Sequence, residues 1–322
     1  GSLTKDVKAV DLSLRVLRDF AELYPERFTN VTNGVTPRRF IALANPGLAK
    51  LITGAIGSGW LKDLEQLQQL EPLAADSGFV AAWKQVKQGN KQRLSEHVTS
   101  VLGLELDPST LFDVQVKRMH EYKRQLLNVL HVLTLLQRIQ NGQLPRARRT
   151  VIFAGKAAPG YFMAKLVIRL IHGVADAVRR DAEARKWLRV QFIPDFNVKI
   201  AEKIYPAADL SEQISLAGKE ASGTSNMKLS LNGALTIGTL DGANLEIRER
   251  VGAENFFLFG MDADEVLRLK SSGYRPWELP ERDPELRGVL DLIGSGALAD
   301  GDAQRYLPIV RSLIDHDEYC VL

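Results

Sequence analysis

The segment Glu220-Ala-Ser-Gly-Thr-Ser-Asn-Met-Lys228 combines a glycine-containing polar loop, a helix start and one lysine delivered into an apolar run. Ser222, Thr224, Ser225 and Asn226 are residue types that open helices, which predicts a helix beginning at about Thr224. Backbone N–H groups left free at such a start, together with the positive end of the helix dipole, attract a phosphate. Thr224 and Lys228 stand at i and i+4, so both side chains fall on one helical face, about one 5.4 Å turn apart. Lysine forms Schiff bases, and burial among Met227, Leu229 and Leu231 would lower its pKa and free the amine for that chemistry. The layout suits a cofactor with a phosphate at one end and an aldehyde at the other. The plainer reading of the same residues is an ordinary capped helix carrying a solvated lysine.

A second group of candidates is cationic: Lys117, Arg118, Lys123 and Arg124 gather in one short stretch. They read either as a solvated helix start or as a local anion site, since two neighbouring anions would need several cations.

The elements that must position these residues follow from periodicity. Leu3 to Phe28 has helical spacing of Val10, Leu14 and Leu17 and is followed by the turn-rich stretch Thr29 to Pro37. Helices are predicted over Pro46 to Ile56, Trp60 to Leu67 and Phe79 to Val101, the first opened by Asn45-Pro46. A βα alternation then takes over: strand Leu111 to Val116, helix Tyr122 to Ile139, strand Arg149 to Ala154, helix Tyr161 to Arg180, strand Leu188 to Ile193 and helix Lys199 to Tyr205. Strand Leu235 to Thr239, helix Leu245 to Val251 and strand Phe256 to Phe259 continue it. Short apolar strands separated by helices predict an α/β fold, a Rossmann-like parallel sheet with helices on both faces and ligands at the strand carboxyl ends.

Composition narrows the class. Hydrophobic residues make up 45% and charged residues 25%, ordinary for a globular chain, and a formal charge of +3 is too small to imply nucleic acid. A single cysteine, Cys320, excludes an internal disulfide framework, and no His/Cys cluster suggests a metal. A cytoplasmic location fits, and no apolar run predicts a membrane span or export.

Glu220 to Leu240, read with Ala208-Asp-Leu-Ser-Glu-Gln-Ile-Ser215 and Asp241-Gly-Ala-Asn-Leu-Glu246, resembles the pyridoxal-phosphate signature of the α-glucan (glycogen, starch or maltodextrin) phosphorylases. Val114-Gln-Val-Lys-Arg-Met-His-Glu-Tyr-Lys-Arg-Gln125 is similar to that family's phosphate-binding segment, and Thr32-Asn-Gly-Val-Thr-Pro-Arg-Arg39 to its junction between lobes. Gly155-Lys-Ala-Ala-Pro-Gly-Tyr161 and Glu254-Asn-Phe-Phe-Leu-Phe-Gly260 also match in order, so the likeness runs through essentially the whole chain.

The resemblance implies the carboxyl-terminal lobe of a two-lobed glycosyltransferase of the GT-B type: residues 1–32 as a connecting helix and linker, and residues 33–322 as the cofactor- and phosphate-binding domain, shortened at its carboxyl end. It implies phosphorolysis of terminal α-1,4-glucosidic bonds by orthophosphate, releasing glucose 1-phosphate with retention, in a homodimeric parent; the chain alone would be inactive. Lys228 would hold pyridoxal phosphate as an imine, with Thr224, Ser225 and Lys117 on its phosphate. Arg118 and Lys123 would bind the substrate phosphate. Glu220, Ser222, Gly223, Tyr122 and Asn33 would meet the glucosyl unit, and His120 would support the cofactor weakly. Asp241-Gly242 is favoured as an ordinary strand-to-helix turn, and Asn33-Gly34 has a β-turn as its plain alternative.

Three departures stand out: Ser225 where many members have glycine, Phe40 where many have tryptophan, and Phe196 where many have tyrosine. One rival reading is a nucleotide-sugar-dependent glucosyltransferase, in which Glu220 would be followed eight residues on by a second carboxylate; Lys228 stands there instead. The other rival is a module that binds cofactor or phosphate without catalysis.

Overall fold

In the computed structural model, which describes residues 17–28 and 33–322, six strands form one sheet. They are β1 (Leu111–Val116), β2 (Arg149–Ala154), β3 (Leu188–Ile193), β4 (Leu210–Gln213), β5 (Leu235–Gly238) and β6 (Phe256–Leu258). Their order is β3-β2-β1-β4-β5-β6, and every pairing is parallel. The principal helices are α1 (Pro46–Ile56), α2 (Ser77–Leu102), α3 (Gln125–Gln140), α4 (Phe162–Arg180), α5 (Val198–Ala207), α6 (Ser225–Leu231), α7 (Asn244–Val251), α8 (Ala263–Ser271), α9 (Pro284–Gly294) and α10 (Leu307–Asp315). The predicted Rossmann-like sheet is therefore present.

The central strands β1 and β2 bury both faces, as a sheet covered by crossover helices requires, while edge strand β6 leaves Phe257 and Leu258 exposed. Val151 and Phe153 of β2 pack with Leu133 of α3, Leu170 of α4, Ile293 of α9 and Ile309 of α10. Ile152 and Ala154, pointing the other way along the pleat, pack with Leu94 of α2 and Ile204 of α5. Helix α2 is fastened by buried ammonium groups. Lys87 Nζ donates to Ala208 O at 2.7 Å and Asn232 O at 2.8 Å, and Lys91 Nζ donates to Thr110 O and pairs with Asp209 at 2.6 Å.

Several boundaries differ from the sequence reading. The expected helix over Trp60 to Leu67 is instead two 3-10 stretches, Gly59–Leu61 and Leu64–Ala75, the second containing Pro72, which cannot donate to a helical ladder. The expected helix from Tyr122 is broken at Arg124, whose φ is 54°. Buried Arg124 donates through Nε to Ile214 O at 2.7 Å and through Nη1 to Cys320 O at 2.9 Å, so tertiary bonds fix a conformation that propensity disfavours. Strand β4, absent from the periodicity reading, is only four residues long and carries Ser211, Glu212 and Gln213 in buried positions. Of the amino-terminal helix, Arg18–Leu23 is helical and Pro25–Arg27 forms a 3-10 turn; Leu3 to Val16 and Thr29 to Thr32 lie outside the described residues.

The polarity of β4 has a partner in β1. Glu212 lies against Asp113, whose buried Oδ1 has no hydrogen-bond partner among the described residues, while Arg149 Nη1 donates to Asp113 Oδ2 at 2.9 Å and approaches His131 Nε2 at 3.4 Å. Burial, and then the Asp113 charge, push Glu212 well above the ordinary glutamate value, and burial also holds His131 down at about 4. A raised folded pKa favours the fold while the group is protonated in both states, below the ordinary carboxyl value of 4.5. That contribution is lost as pH rises from 4.5 through the raised value. Glu212→Gln keeps the donor and cannot ionise, so denaturant unfolding over roughly pH 5 to 9 is expected to show a flatter stability profile than the parent. An unchanged slope would place the ionisation elsewhere.

Candidate active site

From β1 the chain runs outward to β2 and β3, and from its neighbour β4 to β5 and β6, so the carboxyl ends of β1 and β4 diverge at a topological switch point. Open α/β sheets bind ligands in the crevice that results. A cleft of about 660 Å³ occupies this place, and it is lined by Asn33, Lys117, Arg118, Lys123, the Glu220 to Ser225 loop and Lys228, whereas Tyr122, His120 and Arg124, also singled out from the sequence, do not line it.

Lys117 extends the β1 ladder by one bond, its N–H donating to Ala154 O at 3.0 Å, and its Nζ donates to Gln213 Oε1 at 2.8 Å. Gly155 permits the approach, since a Cβ there would stand 2.2 Å from Lys117 O. Burial pushes the Lys117 ammonium down to about 8, with Glu220 pulling it back up and Lys123 pressing it lower. An anion brought into contact would favour the charged form of such a group. The next residue, Arg118, is exposed at the cleft and has no side-chain partner among the described residues.

Helix α6 starts at Ser225 with Thr224 at its N-cap, as the spacing predicted. Thr224 Oγ1 makes no cap bond; it accepts instead from Lys228 Nζ at 3.2 Å, which brings the expected i and i+4 side chains together. The apolar surroundings of the amine differ from those expected. Its Nζ lies 4.5 Å from the Phe40 ring centre and 5.9 Å from that of Tyr205; Leu229 belongs to the same core cluster as those rings, whereas Leu231 packs against a separate one. Burial, and secondly the Arg39 charge, lower the Lys228 pKa. Ser225 Oγ accepts from Gln213 Nε2 at 3.4 Å, so Gln213 touches both Lys117 and the start of α6.

Glu220 forms an ion pair with Lys123, and Tyr122 Oη donates to both of its carboxylate oxygens at 3.4 Å. Lys123, expected on a substrate phosphate, is thus held by the expected sugar acceptor. His120 does not line the cleft: its Nδ1 accepts from Tyr122 N at 3.5 Å, and its ring packs 4.8 Å from Tyr122 and 5.1 Å from Tyr161. It supports Tyr122 from behind. The three departures, Phe40, Phe196 and Ser225, all line the cleft.

Sequence reasoning missed Gln213, Tyr205 and Lys156 as cleft residues. Gln213 lies inside a quoted motif and could have been singled out; Tyr205 carries no local signal, being delivered by the packing of α5. Among the described residues lining the cleft, Glu220 is the one carboxylate, against Lys117, Arg118, Lys123, Lys156 and Lys228. Such a site is built for anions, with one acceptor for hydroxyl donors. No group of His, Cys, Asp or Glu among the described residues could hold a metal ion, and none of the described helices is long and apolar enough to cross a membrane.

A family profile described as carbohydrate phosphorylase matches residues 7–322. The chain is 55% identical over 307 residues to a glycogen phosphorylase of Synechocystis sp., covering 95% of this chain and 36% of the relative. It is 52% identical over 302 residues to a glycogen phosphorylase of Haemophilus influenzae (94% and 37%) and 48% identical over 314 residues to the muscle form from Ovis aries (96% and 37%). The chain therefore spans little more than a third of the length of these curated relatives.

Proposed function

The chain belongs to the carbohydrate phosphorylase family, and from that premise we propose that a protein containing it cleaves terminal α-1,4-glucosidic bonds of a glucan with orthophosphate. The bond from C1 to the leaving glucan oxygen breaks, a bond from C1 to a phosphate oxygen forms on the same face, and the leaving oxygen takes up the proton that orthophosphate gives up. The products are glucose 1-phosphate and a glucan one residue shorter. The observation that carries this reading is the charge pattern of the cleft: five cations and a single carboxylate at the switch point of the sheet.

The residues fit pyridoxal phosphate. Lys228 offers an amine with a lowered pKa beside aromatic rings, while Lys117, Thr224 and Ser225 offer a buried ammonium, a hydroxyl and a helix start to a phosphate. When bound, the cofactor's phosphate supplies the acid/base group that a pair of carboxylates provides in glycosidases. Arg118 takes the substrate phosphate by its guanidinium fork, a geometry matched to bidentate contact. Lys123 adds a point charge and leaves Glu220 to accept from sugar hydroxyls, with Ser222, Gly223 and Asn33 completing the pocket.

Arg118→Ala in the full-length protein is expected to weaken the use of orthophosphate by about 10- to 150-fold, the equivalent of one charge-assisted contact of about 1.5–3 kcal/mol, and the use of glucan much less. Lys123→Ala should do the same, with some loss at the sugar because its partner Glu220 is set free. Steady-state kinetics with each substrate varied decides the matter. Equal losses for both substrates after Arg118→Ala would remove Arg118 from the phosphate site.

A further inference from the structure

The turn Asp241-Gly242-Ala243 links β5 to α7 and contributes no residue to the cleft, yet it grips the loop that carries Glu220. Asp241 Oδ2 accepts from Glu220 N at 2.8 Å and Lys219 N at 3.2 Å, while its Oδ1 accepts from Gly242 N at 3.0 Å. Ala243 N donates to Ser222 O at 2.7 Å. Gly242, at φ 56°, lies so close that a Cβ would stand 2.5 Å from Ser222 O and 3.0 Å from Glu220 O. Those are backbone atoms of the loop itself, so any side chain at this position must displace the loop.

The next residue completes the fastening. Asn244 is buried; its Nδ2 donates to Gln213 O and Thr239 O, both at 3.1 Å, and its Oδ1 accepts from Asn226 Nδ2 at 3.0 Å. Asn226 Nδ2 also reaches Ser222 O at 3.3 Å. The loop is therefore held by its backbone at residues 219, 220 and 222, which fixes the Glu220 and Ser222 main chain relative to β4 and α6 while leaving the Glu220 carboxylate in the cleft.

We propose that Asp241, Gly242 and Asn244 are the positioning residues of the glucosyl pocket, setting where the Glu220 carboxylate stands and hence how tightly the sugar is held; this rests on the glucosyl reading of Glu220 given above. Asparagine at position 241 offers one acceptor oxygen where two are used, so an amide NH₂ must face either Gly242 N or the N–H groups of residues 219 and 220. The loop then shifts without a large loss of buried surface.

The test uses the full-length protein with Asp241→Asn, Gly242→Ala and, as reference, Glu220→Gln. Measured quantities are KM and kcat for glucose 1-phosphate in the synthetic direction, bound pyridoxal phosphate per chain, and Tm. Asp241→Asn is expected to raise KM for glucose 1-phosphate about tenfold and Gly242→Ala up to about 10²-fold, the scale of a 1 Å misplacement, with cofactor content unchanged. A fall in cofactor content and Tm with no change in KM would make the turn a purely structural element and overturn the inference. So would an unchanged KM in Asp241→Asn, which keeps the test decisive should Gly242→Ala not fold. If Glu220→Gln impairs sugar use while both turn variants leave it intact, the positioning inference alone fails. If Glu220→Gln is itself without effect, the glucosyl reading of Glu220 falls and the inference with it.

Discussion

Lys228→Ala in the full-length protein is expected to abolish borohydride trapping of pyridoxal phosphate and to lower phosphorolysis by about 10²-fold or more, because the covalent anchor is lost and the cofactor's position is no longer enforced. In the parent protein, reduction and peptide mapping should place the label on the peptide containing Met227-Lys228. Lys117 is the lysine to discriminate against, since it too lies in the cleft and burial holds it at about 8. Its Nζ is engaged with Gln213 Oε1 and its side chain is almost fully buried, which suits it to a fixed phosphate contact. Lys228 is half-buried, bonds only weakly to a hydroxyl at 3.2 Å, and sits against two aromatic rings. A label on Lys117 would reverse the two assignments, and a label on neither would remove the cofactor from this cleft.

The local geometry around Lys228 was legible because helix starts and i to i+4 spacing are properties of a few adjacent residues. Thr224 at the N-cap and its contact with Lys228 follow from the nine-residue segment alone. The same holds for the longer strands: β1, β2 and β3 are short, mainly apolar segments and have the bounds read from the sequence. Strand β4 was hidden because its side chains are polar and face residues distant in sequence: Glu212 lies against Asp113, and Gln213 accepts from Lys117. The break at Arg124 likewise depends on carbonyls of residues 214 and 320. Within the site, the cations could be collected from sequence, but not the pairing of Lys123 with Glu220, which are 97 positions apart. Nor could the environment of Lys228 be read from its own helix, since Phe40 and Tyr205 arrive from other elements.

The 322-residue chain by itself is expected to unfold cooperatively and yet to turn over glucan far more slowly than a full-length protein. Its sheet carries apolar clusters on both faces, sufficient for a self-contained core. Its cleft, by contrast, is open, with Asn33, Arg118 and Lys156 exposed to solvent. Water then competes for each phosphate contact and weakens the electrostatic attraction that a closed site would strengthen. The curated relatives are nearly three times as long as the part matched here, so residues beyond this chain are available in them to orient the glucan. Orientation of the reacting groups supplies roughly 7–11 kcal/mol of barrier reduction in well-aligned reactions. Losing even half of that corresponds to about 10³-fold in rate, with Lys228 and Arg118 still in place. The measurement is phosphorolysis by the purified chain with saturating pyridoxal phosphate, beside a full-length protein under the same conditions, with denaturant unfolding as the check on the fold. A folded chain with comparable turnover would mean that the residues of this cleft are sufficient to hold and orient the glucan, and that no further part of the protein is needed to position it.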